Sequence, residues 1–329
     1  MTNFNQKTIL ITGGAGFIGS NIAFYLQNNF DCRIVIFDIF RSEKTFSNGN
    51  LQSFGHYQNL LGFTGDIICG DIDNDTDLEK LQNYNFDYIF HQAAISDTRV
   101  YDQEIIMKTN VNSFYKLLNI AKNDNATMVY ASSAATYGSL ESPQVIGTES
   151  PENPYGFSKL MMDKIANKFV KDNSNMKIVG LRFFNVYGER EYFKDKTSSM
   201  IIQLGHQILA NKNPKLFENS DKILRDFVYI DDVVNANILA CGCSKSGVYN
   251  VGTATPRSFV DIVDILQNEL STDLQIDYIK NPYIGYQTHT QADISLSTEF
   301  LQYTPKYNLE QGIKKYIPYI KQMFGVSNK

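Results

Sequence analysis

The sequence predicts an α/β fold with a doubly wound parallel sheet and a smaller carboxyl-terminal lobe. Two observations support this fold class. Short, almost continuously apolar segments alternate with helix-length segments through the first half of the 329 residues, and a glycine-rich turn follows the first apolar segment. Strands that are apolar on both faces are typical of a parallel sheet covered by helices above and below.

Each predicted strand is short and rich in β-branched or aromatic residues, as buried strands are. The strands expected in the first half are 8–12, 33–37, 88–90, 128–130 and 177–181. Helices are predicted between them at 105–123 and 158–172. Two later strands, 225–232 and 248–251, are expected to return to the main sheet or to its edge.

This pattern predicts two unequal parts of one compact body. We expect residues 1–185 to form the main domain, with strand returns near 225–252. We expect residues 186–329 to form mostly a second lobe over the strand ends, where open α/β sheets bind their ligands.

Composition excludes several classes of protein. Hydrophobic residues make up 43% and charged residues 20% of the sequence, as in a folded globular chain. The net charge of −5, without a basic run, argues against a nucleic-acid or anionic-membrane partner. No apolar stretch has the length of a membrane span and no signal peptide precedes the first predicted strand, so we expect a cytoplasmic protein.

The cysteines and histidines predict neither a disulfide framework nor a metal site. The cysteines are too few for such a framework, and we expect them to be reduced. They are Cys32, Cys69, Cys241 and Cys243. The histidines, which lack metal-ligand spacing, are His56, His91, His206 and His289.

The glycine-rich turn has the spacing of a dinucleotide fingerprint. Gly14, Gly16 and Gly19 satisfy G-x-G-x-x-G between a predicted strand and a helix-length segment. Such glycines permit a tight turn, a close approach to a pyrophosphate and close helix–strand packing, and the helix amides point at the phosphates. The second strand is followed by Asp38, nineteen residues past Gly19, where a carboxylate would bind the adenosine ribose.

The sequence gives conflicting signals on NAD against NADP. Asp38 favours NAD, because a carboxylate repels a 2′-phosphate, whereas Arg41 and Lys44 are placed to bind one. We expect NADP, with NAD as the alternative. Other contacts are expected after the third and fourth strands, beside the adenine and the nicotinamide ribose. The expected cofactor-binding residues are Gly13, Gly16, Phe17, Ile18, Gly19, Asp38, Arg41, Lys44, Asp71, Ile72, Gln92, Ala93, Ala94, Ser96, Asn110, Lys159 and Val186.

A serine, a tyrosine and a lysine form the predicted catalytic group. Ser133 ends a predicted strand, and Tyr155 and Lys159 follow at an i, i+4 spacing that puts both on one helix face. A tyrosine has an ordinary pKa of about 10, and a nearby ammonium, helped by the positive nicotinamide ring, favours its phenolate and should lower that pKa. With Ser133 holding the oxygen, this group suits reversible removal of hydride and proton from an alcohol.

With these motifs the sequence resembles the extended short-chain dehydrogenase/reductases, which have a Rossmann fold and mostly act on nucleotide sugars. The resemblance covers the whole chain. Within that family the sequence is similar to the enzymes that epimerise C6 of an ADP-heptose for lipopolysaccharide synthesis, and its Lys-Leu-Phe-Glu and Thr-Gln-Ala segments are specific to them. The matching segments are 131–138, 184–188, 214–218, 225–229 and 289–292.

The resemblance implies an NADP-dependent isomerase that converts ADP-D-glycero-D-manno-heptose into its L-glycero epimer through a 6-keto intermediate. It implies a homo-oligomer, and a second acid/base, Lys194, after the Asn-Val-Tyr-Gly segment. It also implies contacts to the nucleotide-sugar substrate from arginine, lysine and polar side chains. These substrate residues are Asn185, Lys196, Gln203, Phe217, Glu218, Asn219, Ser220, Arg225 and Tyr286.

Two alternatives stay open at this point. Thr98-Arg99 stands where the family usually has Thr-Thr, which keeps another nucleotide-sugar oxidoreductase or epimerase in view, such as a GDP-heptose 4-dehydrogenase. A non-catalytic dinucleotide-binding protein is the other alternative. Such proteins tend to lose the tyrosine or the lysine, and this chain has both Tyr155 and Lys159.

Overall fold

The computed structural model describes residues 2–282 and 287–327, which form two layers of helices around a parallel sheet and a lobe above its carboxyl edge. In chain order the strands are β1 (Thr8–Thr12), β2 (Arg33–Asp38), β3 (Asp66–Cys69), β4 (Tyr88–His91), β5 (Thr127–Ser133), β6 (Ile178–Phe183), β7 (Asn185–Tyr187), β8 (Lys215–Phe217), β9 (Leu224–Tyr229), β10 (Gly247–Val251), β11 (Pro256–Ser258) and β12 (Asp277–Ile279).

The helices alternate with these strands, as the sequence predicts. In chain order they are α1 (Phe17–Asn29), α2 (Asp75–Glu79), α3 (Gln103–Ile106), α4 (Ser113–Asp124), α5 (Pro154–Asp172), α6 (Met200–Leu209), α7 (Ile230–Cys241), α8 (Phe259–Leu270), α9 (Ser295–Leu301) and α10 (Leu309–Ser327). Short 3-10 turns cover Tyr57–Leu60, Ala134–Tyr137 and Tyr192–Thr197.

The main sheet has the order β10-β6-β5-β4-β1-β2-β3, and each neighbouring pair is parallel. The chain runs outward from β1 through β2 and β3, then crosses back to β4 on the other side of β1. Ligands bind outside the carboxyl ends of the strands at such a reversal. The predicted doubly wound α/β fold is therefore confirmed, and the reversal lies at the ends of β1 and β4.

The predicted strand 225–232 was assigned to the wrong sheet. β9 pairs with β7 and β11 in a separate three-stranded sheet, and residues from Ile230 onward belong to α7. Asp231 and Asp232 lie in the first turn of α7, where acidic side chains stabilise a helix. Only the predicted strand 248–251 returns to the main sheet, as part of the edge strand β10 beside β6.

One helix begins earlier than predicted, and another contains an unexpected turn. The side chain of Asn153 caps α5 by accepting a hydrogen bond from the Gly156 N–H at 2.8 Å, and Pro154 occupies the first turn. This start brings Tyr155 into the helix. The predicted helix 105–123 is interrupted by a π-helical turn at Met107–Asn112 between α3 and α4.

The lobe and the main sheet share one hydrophobic core. Ile9 and Val179 of the sheet belong to the same buried cluster as Leu204 of α6, Leu266 of α8 and Ile320 of α10. A second buried cluster covers the opposite face of the sheet, under α4 and α5. The helices α6, α8 and α10 of the lobe therefore share one core with the main sheet, in which β10 is the edge strand.

A fully buried carboxylate on β9, that of Asp226, holds two loops of the lobe. Its Oδ1 accepts hydrogen bonds from the Thr253 N–H and hydroxyl, both at 2.6 Å. Its Oδ2 accepts from the N–H groups of Ala254 and Ala292, both at 2.9 Å. Four donors compensate the cost of burying the charge, so Asp226 ties the chain after β10 to the segment around Ala292.

We expect Asp226→Asn to lower the free energy of unfolding by about 2–3 kcal/mol, because an amide keeps one acceptor oxygen and turns an NH₂ group toward backbone donors. Urea unfolding followed by circular dichroism measures the change. The matched control Asp231→Asn removes a partly exposed ion pair with Lys315 and should cost less than about 1 kcal/mol. Equal losses in the two variants would contradict this role of Asp226.

Candidate active site

The glycine-rich loop between β1 and α1 leaves no room for side chains. Gly13 has a φ of +69°, and a Cβ there would lie 2.7 Å from the backbone N of Ala93. A Cβ on Gly19 would lie 2.3 Å from the carbonyl oxygen of Gly13. The loop thus packs directly against the end of β4 and the first turn of α1. The amides of that turn are available to an anion, as a pyrophosphate site requires.

Asp38, at the end of β2, holds the glycine-rich loop. Its side chain is 6% exposed, and it accepts hydrogen bonds from the Ala15 N–H at 2.9 Å and the Phe40 N–H at 2.8 Å. Burial raises the pKa of this carboxyl, and the backbone donors oppose that effect. Each oxygen keeps lone-pair capacity, so the predicted ribose contact stays compatible with this structural role.

The end of β4 offers an acceptor that the described part of the chain leaves unused. The Nε2 of Gln92 donates to Asn237 at 3.2 Å, whereas its Oε1 is buried without a hydrogen-bond partner among the described residues. Buried polar atoms are nearly always paired. Together with the glycine cradle, this atom fits a site for a dinucleotide. Ala93 and Ala94 follow, both half-buried, and Ser96 is exposed.

The other predicted cofactor residues lie around the same strand ends. Asp71 and Ile72 follow β3 next to the end of β2, where the Gly70 N–H donates to the Asp38 carbonyl at 3.0 Å. Arg41 and Lys44 are exposed on the loop after β2. Phe17 and Ile18 open α1, and Val186 lies half-buried on β7. As contacts to a cofactor these residues stay predictions.

Asn110, a predicted cofactor residue, lies in the core and connects two elements of the site. It is fully buried in the π-helical turn, and its amide bonds the N–H and C=O of Ile95 at 2.9 and 3.0 Å. It also donates to the Ser158 hydroxyl at 3.0 Å. The side chain thus joins the loop after β4 to α5. These hydrogen bonds position the two elements, and a contact of Asn110 to a cofactor stays a prediction.

Ser133, Tyr155 and Lys159 come together as the spacing predicts. Ser133 ends β5, and a side-chain hydrogen bond links it to Tyr155 in the first turn of α5. The Nζ of Lys159 lies 5.9 Å from the centre of the Tyr155 ring and donates to the Ala131 carbonyl at 2.7 Å. Tyr155 is 9% and Lys159 is 2% exposed. The three groups form a compact site for proton transfer.

Burial shifts the pKa values of both Tyr155 and Lys159. Burial raises the pKa of Tyr155, and the hydrogen bond with Ser133 only partly opposes that effect. In the chain by itself desolvation is the larger influence on the pKa of Tyr155, and the expected lowering, which includes the charge of a bound nicotinamide ring, stays a prediction. Burial lowers the pKa of Lys159 to about 8, opposed by the negative charge of Asp163. The ammonium form of Lys159 therefore still predominates at pH 7.

A buried charge cluster behind Lys159 was missed in the sequence. Asp163 accepts from Arg182 Nε at 2.9 Å and Nη2 at 2.8 Å, and from the hydroxyls of Tyr130 and Ser132 at 2.9 and 3.0 Å. Arg182 also pairs with Glu149. Asp163 follows Lys159 at i+4 on α5, and that spacing is the signal that could have identified it.

Lys194 lies beside the start of α1, the helix that follows the glycine-rich loop. It belongs to the 3-10 turn after β7, and its Nζ lies 5.6 Å from the centre of the Phe17 ring. The ring of its neighbour Phe193 stacks on His56 with centroids 3.8 Å apart. Burial lowers the pKa of Lys194, and the charge of Glu191 opposes that effect. A second amine with a lowered pKa is therefore brought to the fingerprint loop.

Some of the predicted substrate residues line one cleft, with a volume of about 350 Å³, at the edge of the lobe. Lys196 and Gln203 border it together with Arg41, which was predicted to bind the cofactor phosphate. His206, one turn along α6 from Gln203, lines the same cleft and was not predicted. Its i+3 spacing from Gln203 is the signal that could have identified it.

The remaining predicted substrate residues are spread over the lobe. Asn185 starts β7, and its amide donates to Thr290 at 3.4 Å. Glu218 and Asn219 are exposed after Phe217, whereas Ser220 is 1% exposed and its hydroxyl donates to the Phe217 carbonyl. Ser220 thus stabilises the turn itself.

Arg225 on β9 is 7% exposed and donates to the carbonyls of Leu224 and Gln287. Tyr286 lies outside the described residues.

Within residues 2–282 and 287–327, no group of three or more His, Cys, Asp or Glu side chains is arranged to hold a metal ion. No helix in that part of the chain is long and apolar enough to cross a membrane.

The fold is of the Rossmann type, and Ser133, Tyr155 and Lys159, the predicted catalytic group, lie together at the end of β5. Residues 9–252 match the NAD dependent epimerase/dehydratase family, and the chain belongs to that family. It is 36% identical over 324 residues to the ADP-L-glycero-D-manno-heptose-6-epimerase of Brachyspira hyodysenteriae, an alignment that covers 96% of this chain and 99% of that protein.

Solved structures of the same kind are similar over almost the whole chain. The ADP-L-glycero-D-manno-heptose-6-epimerase of Helicobacter pylori is 50% identical with a TM-score of 0.88, covering 97% of each chain. A UDP-glucuronic acid 4-epimerase of Bacillus cereus, solved with UDP-glucuronic acid and NAD, is 28% identical with a TM-score of 0.81. That match covers 96% of this chain and 99% of the other.

Proposed function

We propose that this protein epimerises C6 of ADP-D-glycero-D-manno-heptose to give ADP-L-glycero-D-manno-heptose. The observation that carries the proposal is the second amine, Lys194, held beside the fingerprint loop in addition to the Ser133, Tyr155 and Lys159 group. Two acid/base groups suit a reaction in which one carbon is oxidised and then reduced on its opposite face. The full-length similarity to two ADP-heptose 6-epimerases supports the same substrate.

The residues at the carboxyl end of β5 and in the first turns of α5 would perform the oxidation. Ser133 holds the C6 oxygen, and Tyr155 accepts the hydroxyl proton while hydride leaves C6. The ammonium of Lys159, whose Nζ lies 5.9 Å from the centre of the tyrosine ring, would favour the phenolate, whereas burial raises the pKa of Tyr155. A nicotinamide dinucleotide held by the glycine-rich loop would supply the hydride acceptor and donor for these residues.

Lys194 would complete the inversion. The 6-ketone is exocyclic, so rotation about the C5–C6 bond presents either face for the return of hydride. The ketone oxygen then needs a proton donor in its second orientation. Lys194 provides an amine whose pKa is lowered by burial, as a group that exchanges protons near neutral pH requires.

We further propose that the dinucleotide is NADP. The glycine cradle, Asp38 and the Oε1 of Gln92, which has no partner in the described part of the chain, fit a nicotinamide dinucleotide of either kind. Arg41 supports the phosphorylated form, because it is exposed at the end of β2 and borders the cleft with Lys196. Cytoplasmic location, homo-oligomeric assembly and a place in lipopolysaccharide synthesis belong to the same proposal.

The two alternatives are less favoured. Arg99 is the residue that suggested another nucleotide-sugar enzyme. Its Nε donates to the buried Asp97 at 3.1 Å, which holds the side chain against the loop after β4. The full-length relatives that support the assignment are 6-epimerases of an ADP-heptose. A non-catalytic protein has no use for a buried Tyr155–Lys159 pair joined to Ser133.

The first prediction tests the reaction and Tyr155 together. The purified protein should invert C6 of ADP-heptose and leave GDP-heptose unchanged, as followed by NMR. Tyr155→Phe should lower turnover at least about a hundredfold with unchanged folding and dinucleotide content, because only the proton acceptor is lost. Tyr101→Phe, at an exposed tyrosine, is the matched control. Inversion by the Phe variant at the wild-type rate would exclude Tyr155 from the mechanism.

The second prediction concerns Lys194→Met, which preserves length and apolar contact but removes the amine. Epimerisation should fall at least about a hundredfold, while the Kd for the ADP-sugar changes less than about threefold. An aldehyde analogue that is dismutated through one orientation should be turned over by this variant with a much smaller loss. Lys212→Met, at an exposed lysine after α6, is the control.

If Lys194→Met weakens binding, dismutation and epimerisation in proportion, Lys194 is a substrate contact and Tyr155 serves both faces.

The third prediction concerns the cofactor. Mass spectrometry of the denatured protein should identify NADP, and Arg41→Ala should weaken NADP about tenfold while NAD affinity stays within about twofold, since one charge-assisted contact is lost. Arg33→Ala, which breaks a surface pair with Asp66, should change neither affinity. Release of NAD alone, or equal weakening of both dinucleotides by Arg41→Ala, would contradict the role of Arg41.

A further inference from the structure

Glu191 is a buried carboxylate that the proposed reaction does not use. It precedes the 3-10 turn that carries Lys194 and is 0% exposed. Its Oε1 accepts from the Gly188 N–H at 3.2 Å and the Ser199 hydroxyl at 2.7 Å, and its Oε2 accepts from the Ser199 N–H at 2.6 Å. One side chain therefore closes the segment 188–199 at both of its ends.

The segment 188–199 is also hydrogen-bonded to α1. Asn21 of α1 donates to the Glu189 carbonyl at 2.9 Å and accepts from Arg190 Nη1 at 3.1 Å. Within the segment, the Lys194 N–H donates to the Glu191 carbonyl at 2.9 Å. The position of Lys194 relative to α1 thus depends on the closure made by Glu191.

The charge of Glu191 acts on Lys194 as well. Burial raises the pKa of Glu191, and the charge of Lys194 is the first of the influences that oppose it. The same charge of Glu191 opposes the lowering of the Lys194 pKa by burial. The other titratable groups facing Glu191 are tyrosines, Tyr187 on β7 and Tyr316 and Tyr319 on α10. Their ordinary pKa values lie near 10, and burial raises them, so they stay neutral near pH 7.

We propose that Glu191 is a positioning residue for Lys194: its buried carboxylate closes the segment between Gly188 and Ser199 and supplies the negative charge that faces the lysine ammonium. The inference rests on the proposed function for the meaning of Lys194 in the reaction. The closure and the charge effect are properties of the chain and are measurable without turnover.

Glu191→Gln separates charge from shape, because the amide has nearly the same size. We expect the titration midpoint of Lys194 to move to lower pH in this variant. The ¹³C NMR signal of the reductively methylated protein measures the midpoint, and Lys194→Met identifies the signal by its loss. We expect kcat for epimerisation to fall at least about tenfold with KM within about threefold, because the substrate contacts lie elsewhere.

Matched variants keep the test decisive. Glu189→Gln removes the same charge two residues away and should leave the Lys194 midpoint in place. Glu191→Asp keeps the charge and should restore the midpoint toward that of the wild type. Ser199→Ala loses one hydrogen bond to the carboxylate, and should lower kcat about threefold to tenfold without moving the midpoint, so it reports the closure even if Glu191→Gln does not fold.

An unchanged Lys194 midpoint in folded Glu191→Gln would overturn the inference, and so would equal shifts in Glu189→Gln and Glu191→Gln. Failure of the proposed function has a different signature: Lys194→Met would then epimerise normally while the midpoint of Lys194 still moved in Glu191→Gln.

Discussion

The active-site geometry depends on the buried pairing of Asp163 with Arg182. Arg182 lies on β6, Asp163 on α5, and the hydroxyls that complete the pair, from Tyr130 and Ser132, lie on β5. Both charged side chains are 2% exposed, so separating them would leave an unpaired charge in the core, which is strongly unfavourable. The pairing thus fixes α5 against the strand that ends at Ser133, and with it the register of Tyr155 and Lys159.

The second half of the site is held by different means. Lys194 belongs to an irregular segment whose place is set by side chains, through the closure at Glu191, the contacts of Asn21 and the stack of Phe193 on His56. The first half is therefore a rigid part of the sheet and its helix. The second is a loop hydrogen-bonded to α1, and loops with few regular backbone hydrogen bonds open more readily than cores do.

The parts of the site that depend on short-range sequence spacing were predicted from the sequence. The glycine turn, the strand-end Ser133 and the i, i+4 pair of Tyr155 and Lys159 depend on short-range periodicity, and these residues lie as expected. Contacts between residues far apart in the sequence could not be predicted from local spacing. β9 belongs to the three-stranded sheet and not to the main sheet, and the Asn110 side chain bonds the backbone of Ile95. The placement of Lys194 came from family resemblance alone, because an irregular segment has no periodic signal.

The same two opposing influences act on the pKa values of Lys159 and Lys194. Burial lowers the pKa of Lys159 and of Lys194, and in each case a buried carboxylate on the same segment, Asp163 or Glu191, opposes that effect. Both carboxylates are fully engaged by hydrogen-bond donors and are fixed in place. Each amine is therefore subject to two opposing electrostatic effects. In the proposed inversion Tyr155 accepts a proton and Lys194 donates one, and the reverse reaction exchanges these roles, so each group must be able to do both.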